Sequence, residues 1–420
     1  MPDTIDALFA FVTAAAIAWL LVPLAEAFAW RIGAIDRPRE RSLHVAPTPK
    51  LSGMAILVAV CASGAIFLPW DEETRAILGG AAAISALGVV DDLVDLNAGL
   101  KLLGQIACAL IPVSAGVTVD VFTLPFVGGV DPGATRLFDL PVLGNVDLGE
   151  LGTVVGIVAM ANVVNLIDGV DGLAAGVCVI SAGTLAVVAL SLERNAAGVL
   201  AAITAGGALG FLRHGFPPAS SFMGDTGSNL LGYLLAATAV QGALKTNAVV
   251  ALAFPMLVLA VPILDMGFVV AKRLKYRRPI YAADTWHFHH RMAAIGFSQR
   301  RTIAYLYGWT LVMAGMALAL RFVPYSDNRG NFDPGWTAVM AAILVAGLAA
   351  SFYVIYVLEI LKLRRWRYRQ AAAAGAVATK EDVDRGVERE LETGVFEARN
   401  SETGELQAID PDTGEFDAVK

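Results

Sequence analysis

The chain has 420 residues, 56% of them hydrophobic and only 16% charged, with a mean hydropathy of +0.63. That balance excludes an ordinary soluble domain and reads as an integral membrane protein. The formal net charge of −7 is a property of the end of the chain: residues 371–420 hold 13 acidic and 5 basic side chains, a balance of −8, and everything before them sits near neutrality at +1. No nucleic-acid partner is expected.

A bilayer core of about 30 Å takes about 20 apolar residues per helix. Eleven apolar runs approach that length: 6–30, 51–69, 75–90, 100–118, 149–165, 172–191, 196–213, 228–243, 247–271, 303–323 and 335–362. The opening MPDTID carries no basic region and no small-residue cleavage site, so the first run is expected to stay as an anchor. Several runs are rich in Gly, which suits close helix packing. Cys61, Cys108 and Cys178 lie inside apolar runs with no CxxC pair and read as core residues. Between the fourth and fifth runs, VDVFTLPFVGG and RLFDLPVLGNVDLG flank DPGAT and predict a short external β-hairpin over 119–148. Beyond 370 the chain turns acidic and carries a degenerate ten-residue repeat, ETGVFEA, ETGELQA and DTGEFDA, starting at Glu392, Glu402 and Asp412. Its composition predicts a disordered cytoplasmic tail, either merely solubilising or docking an unidentified protein.

Loop charges set the topology. Alternate connections, beginning with 31–50 and including 272–302, carry 20 Lys and Arg residues, against 6 on the opposite set. The positive-inside bias puts the N-terminus outside and the C-terminus in the cytoplasm. The same assignment brings the segments 31–50, 91–101, 165–172, 213–228 and 272–302 to the cytoplasmic face. The fold class expected is therefore an all-α polytopic membrane protein of about 11 transmembrane helices, a transmembrane domain over 1–370 and the tail over 371–420.

Five aspartates sit in those segments: Asp91 and Asp92 in VVDDLVD, Asp168 and Asp171 in NVVNLIDGVDGL, and Asp225 in SFMGDTGSN. Carboxylates at membrane edges are costly to keep unless they hold a metal or move a proton. Adjacent helical residues point about 100° apart, so Asp91 and Asp92 need not share a ligand. Lys101, at the start of the following helix, is placed to attract a phosphate. Asn165, Asp168 and Asp171 fall at i, i+3 and i+6, which a helical turn would partly align, while Gly169 and Gly172 break the helix. Ser228 reads as an N-cap. Carboxylates with an amide and no thiolate select a hard ion, Mg²⁺ or Mn²⁺, bridging a diphosphate. His287, His289 and His290 in a strongly basic loop suit zinc or diphosphate contact, and their position opposite acidic clusters favours the diphosphate.

In order, DRPRERSLHVAPTPKLSG, VVDDLVD, NVVNLIDGVDGL, FMGDTGS and HFHH resemble the motifs of the polyprenyl-phosphate N-acetylhexosamine-1-phosphate transferases, the WecA/TagO/MraY-type membrane enzymes, over residues 30–302. The resemblance implies ten or eleven spans in the bacterial inner membrane, a cytoplasmic active site and Mg²⁺. The implied reaction is transfer of a sugar 1-phosphate from a UDP-sugar to a polyprenyl phosphate for envelope glycan synthesis. A homodimer also fits the family.

Carried over by motif, Asp91 orients or deprotonates the lipid phosphate and Asp92 supports the metal or a lysine. Asp225 is the principal metal ligand, with Asn165 second, and Asp168 and Asp171 lie near nucleoside and metal. Phe222 stacks on uracil, Lys101 and the histidines hold phosphates, and His44, Thr48 and Lys50 contact substrate. The chain reads Pro49-Lys50-Leu51-Ser52-Gly53 where relatives carry PRxGG, so the bidentate fork of Arg is lost. HxHH after Asp284 points to the branch using UDP-N-acetylglucosamine, with UDP-muramoyl-pentapeptide as the alternative donor. A transporter with intramembrane carboxylates is the rival class; the sequence shows no repeated halves to support it.

Overall fold

A computed structural model of the chain describes residues 4–37, 47–119, 122–124, 128–130, 132–140, 144–243, 263–264, 267, 298–325, 332–356, 397–399, 406–409 and 416–417. Ten long α-helices occupy these segments. They are α1 (Thr4–Ile32), α2 (Gly53–Phe67), α3 (Glu72–Val94), α4 (Ala98–Ser114), α5 (Leu148–Ile167), α6 (Leu173–Ser191), α7 (Asn195–Gly215), α8 (Gly224–Ala243), α9 (Gln299–Phe322) and α10 (Pro334–Tyr356). Each coincides with one of the expected spans, and the remaining run, 247–271, lies outside the described residues except at 263–264 and 267. Six (α1, α3, α5, α6, α7 and α9) are long and apolar enough to cross a membrane. The chain is a multi-pass membrane protein.

Local chemistry starts the helices where the charge pattern changes. Asp71 caps α3 by accepting from Thr74 N at 2.8 Å, with Glu72 and Glu73 completing an acidic first turn. Asn97 caps α4 through Leu100 N at 2.9 Å. Asp147 and Glu150 form a reciprocal capping box at α5. Asp95, left-handed at φ 58°, ends α3 and turns the chain straight into α4. Lys101 thereby comes back toward the end of α3 it has just left.

The chain forms two units. The first comprises Met1–Arg37, Pro47–Ile263 and Ile303–Ile343 and contains α1 to α8 with most of α9. Small residues govern its packing. Ala7, Ala10, Ala14 and Ala18 are buried along one face of α1, against α7. A Cβ on Gly210 of α7 would lie 2.3 Å from the carbonyl oxygen of Ala15, so only glycine permits this approach. Small two-stranded elements decorate the helices: β1 (Ile35–Asp36) pairs antiparallel with β2 (Thr48–Pro49).

Two sequence-based expectations change. Residues 119–148 form two antiparallel hairpins rather than one, β3 (Phe122–Leu124) with β4 (Gly128–Val130) and β5 (Arg136–Leu140) with β6 (Gly144–Asp147). Pro132–Ala134 of the DPGAT segment is a short 3₁₀ turn between them. Each apolar run is long enough to fold back on itself, and each carries a Leu-Pro step in its sequence.

The second unit comprises Pro38–Ala46, Leu264–Thr302 and Leu344–Lys420. Its tail, expected to be disordered, carries a three-stranded antiparallel sheet of β7 (Glu397–Arg399), β8 (Leu406–Ile409) and β9 (Phe416–Asp417). One strand comes from each repeat, and the two pairings share a register, Ala398 opposite Gln407 and Ala408 opposite Asp417. A repeated sequence repeats its pairing, and that regularity offsets the low hydrophobicity.

Replacing Gly210 with Val is expected to cost about 1–3 kcal/mol of stability through overpacking against α1. Thermal unfolding in detergent checks this, and an unchanged midpoint would refute the close approach.

Candidate active site

The N-terminus of α8 is the centre of the site, because four elements meet there. Its first N–H groups need acceptors, and a residue of another helix supplies them. Asp92, near the end of α3, accepts from Asp225 N at 3.2 Å through Oδ1. Its Oδ2 accepts from Thr226 N at 3.1 Å and Thr226 Oγ1 at 2.9 Å. Ser228, expected to be the cap, lies inside the first turns of α8 and donates back to Gly224 O at 2.9 Å. The helix starts four residues earlier than the sequence suggested because Asp92 satisfies its end from outside.

The segment before α2 clamps the same place. Phe222 N donates to Pro49 O at 2.9 Å, Ser52 N to Phe222 O at 3.2 Å and Gly53 N to Met223 O at 3.1 Å. A Cβ on Gly53 would stand 2.2 Å from Gly227 N, so the glycine retained from the family pattern is what lets α2 touch α8. This pairing holds Phe222 beside Lys50, whose Nζ lies 3.9 Å from Asp92 Oδ1. Thr48, on β2, is buried.

Asp91 points elsewhere, as the helical geometry predicts. Its Oδ1 accepts from Leu96 N at 2.8 Å and its Oδ2 meets Lys101 Nζ at 2.7 Å. Lys101 Nζ also lies 2.9 Å from Asp225 Oδ2. Asn165 of α5 donates to Asp225 Oδ1 and to Ser228 Oγ, the latter at 2.9 Å. Four helices thus bring Asp91, Lys101, Asn165 and Asp225 to one point. The Asp225 side chain keeps 29% of its surface accessible while those of Asp91 and Asp92 keep 5% and 4%. Asp225 is therefore the carboxylate with an open face.

The NVVNLIDGVDGL segment is not one helical face. The helix α5 ends at Ile167, Asp168 follows as its C-cap, and Gly172 at φ +72° starts α6. Only Asn165 keeps a helical position. Asp171 turns to accept from Ala219 N at 3.1 Å, tying this loop to the one leading into Phe222. Tyr307 of α9 donates to Gly172 O at 2.5 Å. Burial and the charges of Asp225, Asp92 and Asp171 push the Asp168 carboxyl well above the usual carboxylate range.

Among the described residues no three of His, Cys, Asp and Glu converge into a closed metal cage. The donor set is a half-open carboxylate beside an amide. Carboxylate and amide oxygens are the donors Mg²⁺ takes, and Asn165, whose Nδ2 faces Asp225 here, would turn its Oδ1 to join such a set. His44, His287, His289 and His290 lie outside the described residues.

Sequence reasoning missed Thr226, Tyr307 and the amides Gln105, Asn162 and Asn229, described below. The signal for the amides was present: each lies three or four residues along a helix from a residue singled out for chemistry, inside an apolar run.

Residues 74–243 match the model of glycosyl transferase family 4, a span that holds Asp91, Asp92, Lys101, Asn165, Asp168, Asp171, Phe222 and Asp225. The chain is 36% identical over 317 residues to a Bacillus subtilis (strain 168) protein named "Probable undecaprenyl-phosphate N-acetylglucosaminyl 1-phosphate transferase", covering 74% of this chain and 84% of that one. It is 34% identical to the decaprenyl-phosphate N-acetylglucosaminephosphotransferase of Mycobacterium tuberculosis (strain ATCC 25618 / H37Rv), over 80% of this chain and 86% of that one. A phospho-N-acetylmuramoyl-pentapeptide-transferase of Desulforudis audaxviator (strain MP104C) is 32% identical over 66% of this chain and 86% of that protein. With the aspartates and Asn165 of its described motifs gathered around one helix terminus and its similarity running through most of its length, the chain belongs to glycosyl transferase family 4, the polyprenyl-phosphate N-acetylhexosamine-1-phosphate transferases.

Proposed function

We propose that this protein transfers N-acetylglucosamine 1-phosphate from UDP-N-acetylglucosamine to a polyprenyl phosphate and releases UMP, at the cytoplasmic side of the membrane. The observation that carries the proposal is the meeting of Asp91 and Asp225 on Lys101, at 2.7 and 2.9 Å, across three helices. Relatives named for N-acetylglucosamine transfer to undecaprenyl or decaprenyl phosphate support the substrates. The excess of Lys and Arg on the loops of that face supports the sidedness.

In this reading an oxygen of the lipid phosphate attacks the β-phosphorus of the UDP-sugar. The new P–O bond forms as the bond from the β-phosphorus to the bridging oxygen breaks, and that oxygen leaves with UMP. A phosphate monoester is mostly ionised at neutral pH, so Asp91 has only a residual proton to take. Lys101 stands between Asp91 and Asp225 and offsets charge as the phosphates enter. In this reading Asp225 and Asn165 would hold Mg²⁺, with Asp168 near them; the ion would neutralise the diphosphate and the departing UMP. Asp92, whose oxygens are engaged at the first turn of α8, holds Asp225 in place rather than binding the ion itself. Phe222, held by the clamp from Pro49, would offer its ring to uracil, and Lys50, paired beside it, would meet the substrate, with Thr48, on β2, two residues before Lys50.

The assay is UMP release by the purified full chain in detergent with undecaprenyl phosphate, Mg²⁺ and UDP-N-acetylglucosamine. Turnover is expected, EDTA abolishes it, and Asp91→Asn lowers it by roughly 10²–10⁴-fold. UMP formed only from UDP-muramoyl-pentapeptide would move the protein to the other donor, and no UMP from either donor refutes the reading.

Asp225→Ala is expected to lose at least ~10³-fold in turnover, with no recovery at high Mg²⁺. Near-normal turnover in that variant would remove Asp225 as the metal ligand. Trapping a sugar-phosphoryl enzyme without lipid acceptor would replace direct displacement with a two-step route.

A further inference from the structure

One helical turn deeper than the charged site lies a layer of three amides that the chemistry above leaves unused. Gln105 follows Lys101 by four residues on α4, Asn229 follows Asp225 by four on α8, and Asn162 precedes Asn165 by three on α5. Each amide therefore sits about 4.5–6 Å along its own helix from a residue of the site. Gln105 and Asn229 are both 1% exposed.

The three are bonded to one another. Asn162 Nδ2 donates to Gln105 Oε1 at 2.7 Å, and Gln105 Nε2 returns a longer bond to Asn162 Oδ1 at 3.4 Å. The same Nε2 donates to Asn229 Oδ1 at 3.0 Å. The remaining donors are anchored to the helices themselves, Asn162 Nδ2 to Val158 O at 2.8 Å and Asn229 Nδ2 to Asp225 O at 2.9 Å. The last bond ends on the backbone of the central carboxylate residue.

Apolar helix faces in a membrane pack at many axial registers, because lipid is as apolar as the side chains and drives no unique fit. A reciprocal amide pair behaves differently. Sliding one helix by two residues, about 3 Å along its axis, takes both of its bonds out of range. Buried polar side chains in coiled coils set register in this way, at some expense of stability.

We propose that Gln105, Asn162 and Asn229 act as a positioning lock that fixes the register of α4, α5 and α8, and so sets how Lys101, Asn165 and Asp225 face the bound diphosphate and its divalent ion. The proposal rests on the transferase reading for its consequence in turnover. It concerns positioning residues, since none of the three amides touches the reacting atoms.

The test compares the wild type with Gln105→Leu/Asn162→Leu/Asn229→Leu, in which no amide is left unpaired and apolar packing replaces the layer. Thermal unfolding, Mn²⁺ binding followed by electron paramagnetic resonance, and kinetics are read on the same detergent-purified full chains. The expected result is a folded protein whose kcat falls by about 10²-fold with KM for the UDP-sugar within about threefold. Mn²⁺ affinity falls by about tenfold or more, a readout that helix stability alone does not move. A folded triple variant with wild-type kcat and wild-type Mn²⁺ binding overturns the proposal.

Should the triple variant not fold, Asn162→Leu keeps the bond from Gln105 to Asn229 and is read alone. A weaker Mn²⁺ affinity supports the lock, and an unchanged one overturns it. Absence of UMP release by the wild type would sink the transferase reading instead, and Mn²⁺ binding would still decide the lock.

Discussion

The ammonium group of Lys101, held between Asp91 and Asp225, is the contact on which the arrangement depends. Burying a carboxylate is expensive unless a partner of opposite charge and further hydrogen bonds accompany it. Here one lysine serves two carboxylates on different helices, with Asn165 and Leu96 N completing their contacts. Among the described residues the nearest cation to Asp92 is more distant, with Lys50 Nζ 3.9 Å from its Oδ1. Carboxylates gathered in this way favour a cation at their open side, which is what the proposed reaction would use.

The α8 terminus shows how one helix end gathers polar groups from its neighbours. Its N–H groups carry partial positive charge, yet they are not aimed at a ligand, because Asp92 takes them. That use of Asp92 fixes the first turn and turns the Asp225 side chain outward. Two neighbouring carboxylates thereby divide the labour, one holding the helix and the other holding Lys101. The clamp from Pro49, Ser52 and Gly53 stiffens the opposite side of the same turn.

Small residues make such contacts possible. Asp and Asn side chains are short, so they meet across helices only where the backbones lie close. Gly53 against Gly227 and Gly210 against Ala15 are places where any side chain would hold the helices apart. The scaffold and the site are thus linked by one requirement: close helices bring short polar groups within hydrogen-bonding distance, and the amide layer below the site keeps them in step.

Much of this was legible in the chain alone. The apolar runs located ten described helices, because the hydropathy of a run is a local property. The Asp clusters, Lys101 and Asn165 were recognisable as costly polar groups at run ends, and the spacing of Asp91 and Asp92 foretold that they face different partners. The start of α8, the loop position of Asp168 and Asp171, the doubling of the hairpin and the strands in the tail were not. Each depends on groups distant in sequence or on a choice between pairings that local pattern leaves equal. Asp92 caps α8 from 134 residues away and Gln105 meets Asn162 across 57. The sequence by itself determined a many-helix membrane protein with a polar, oxygen-rich set of candidate residues. Only the tertiary structure decided which carboxylate anchors a helix, which stays open and which amides hold the register, because those roles are set by interhelical distances that no local periodicity encodes.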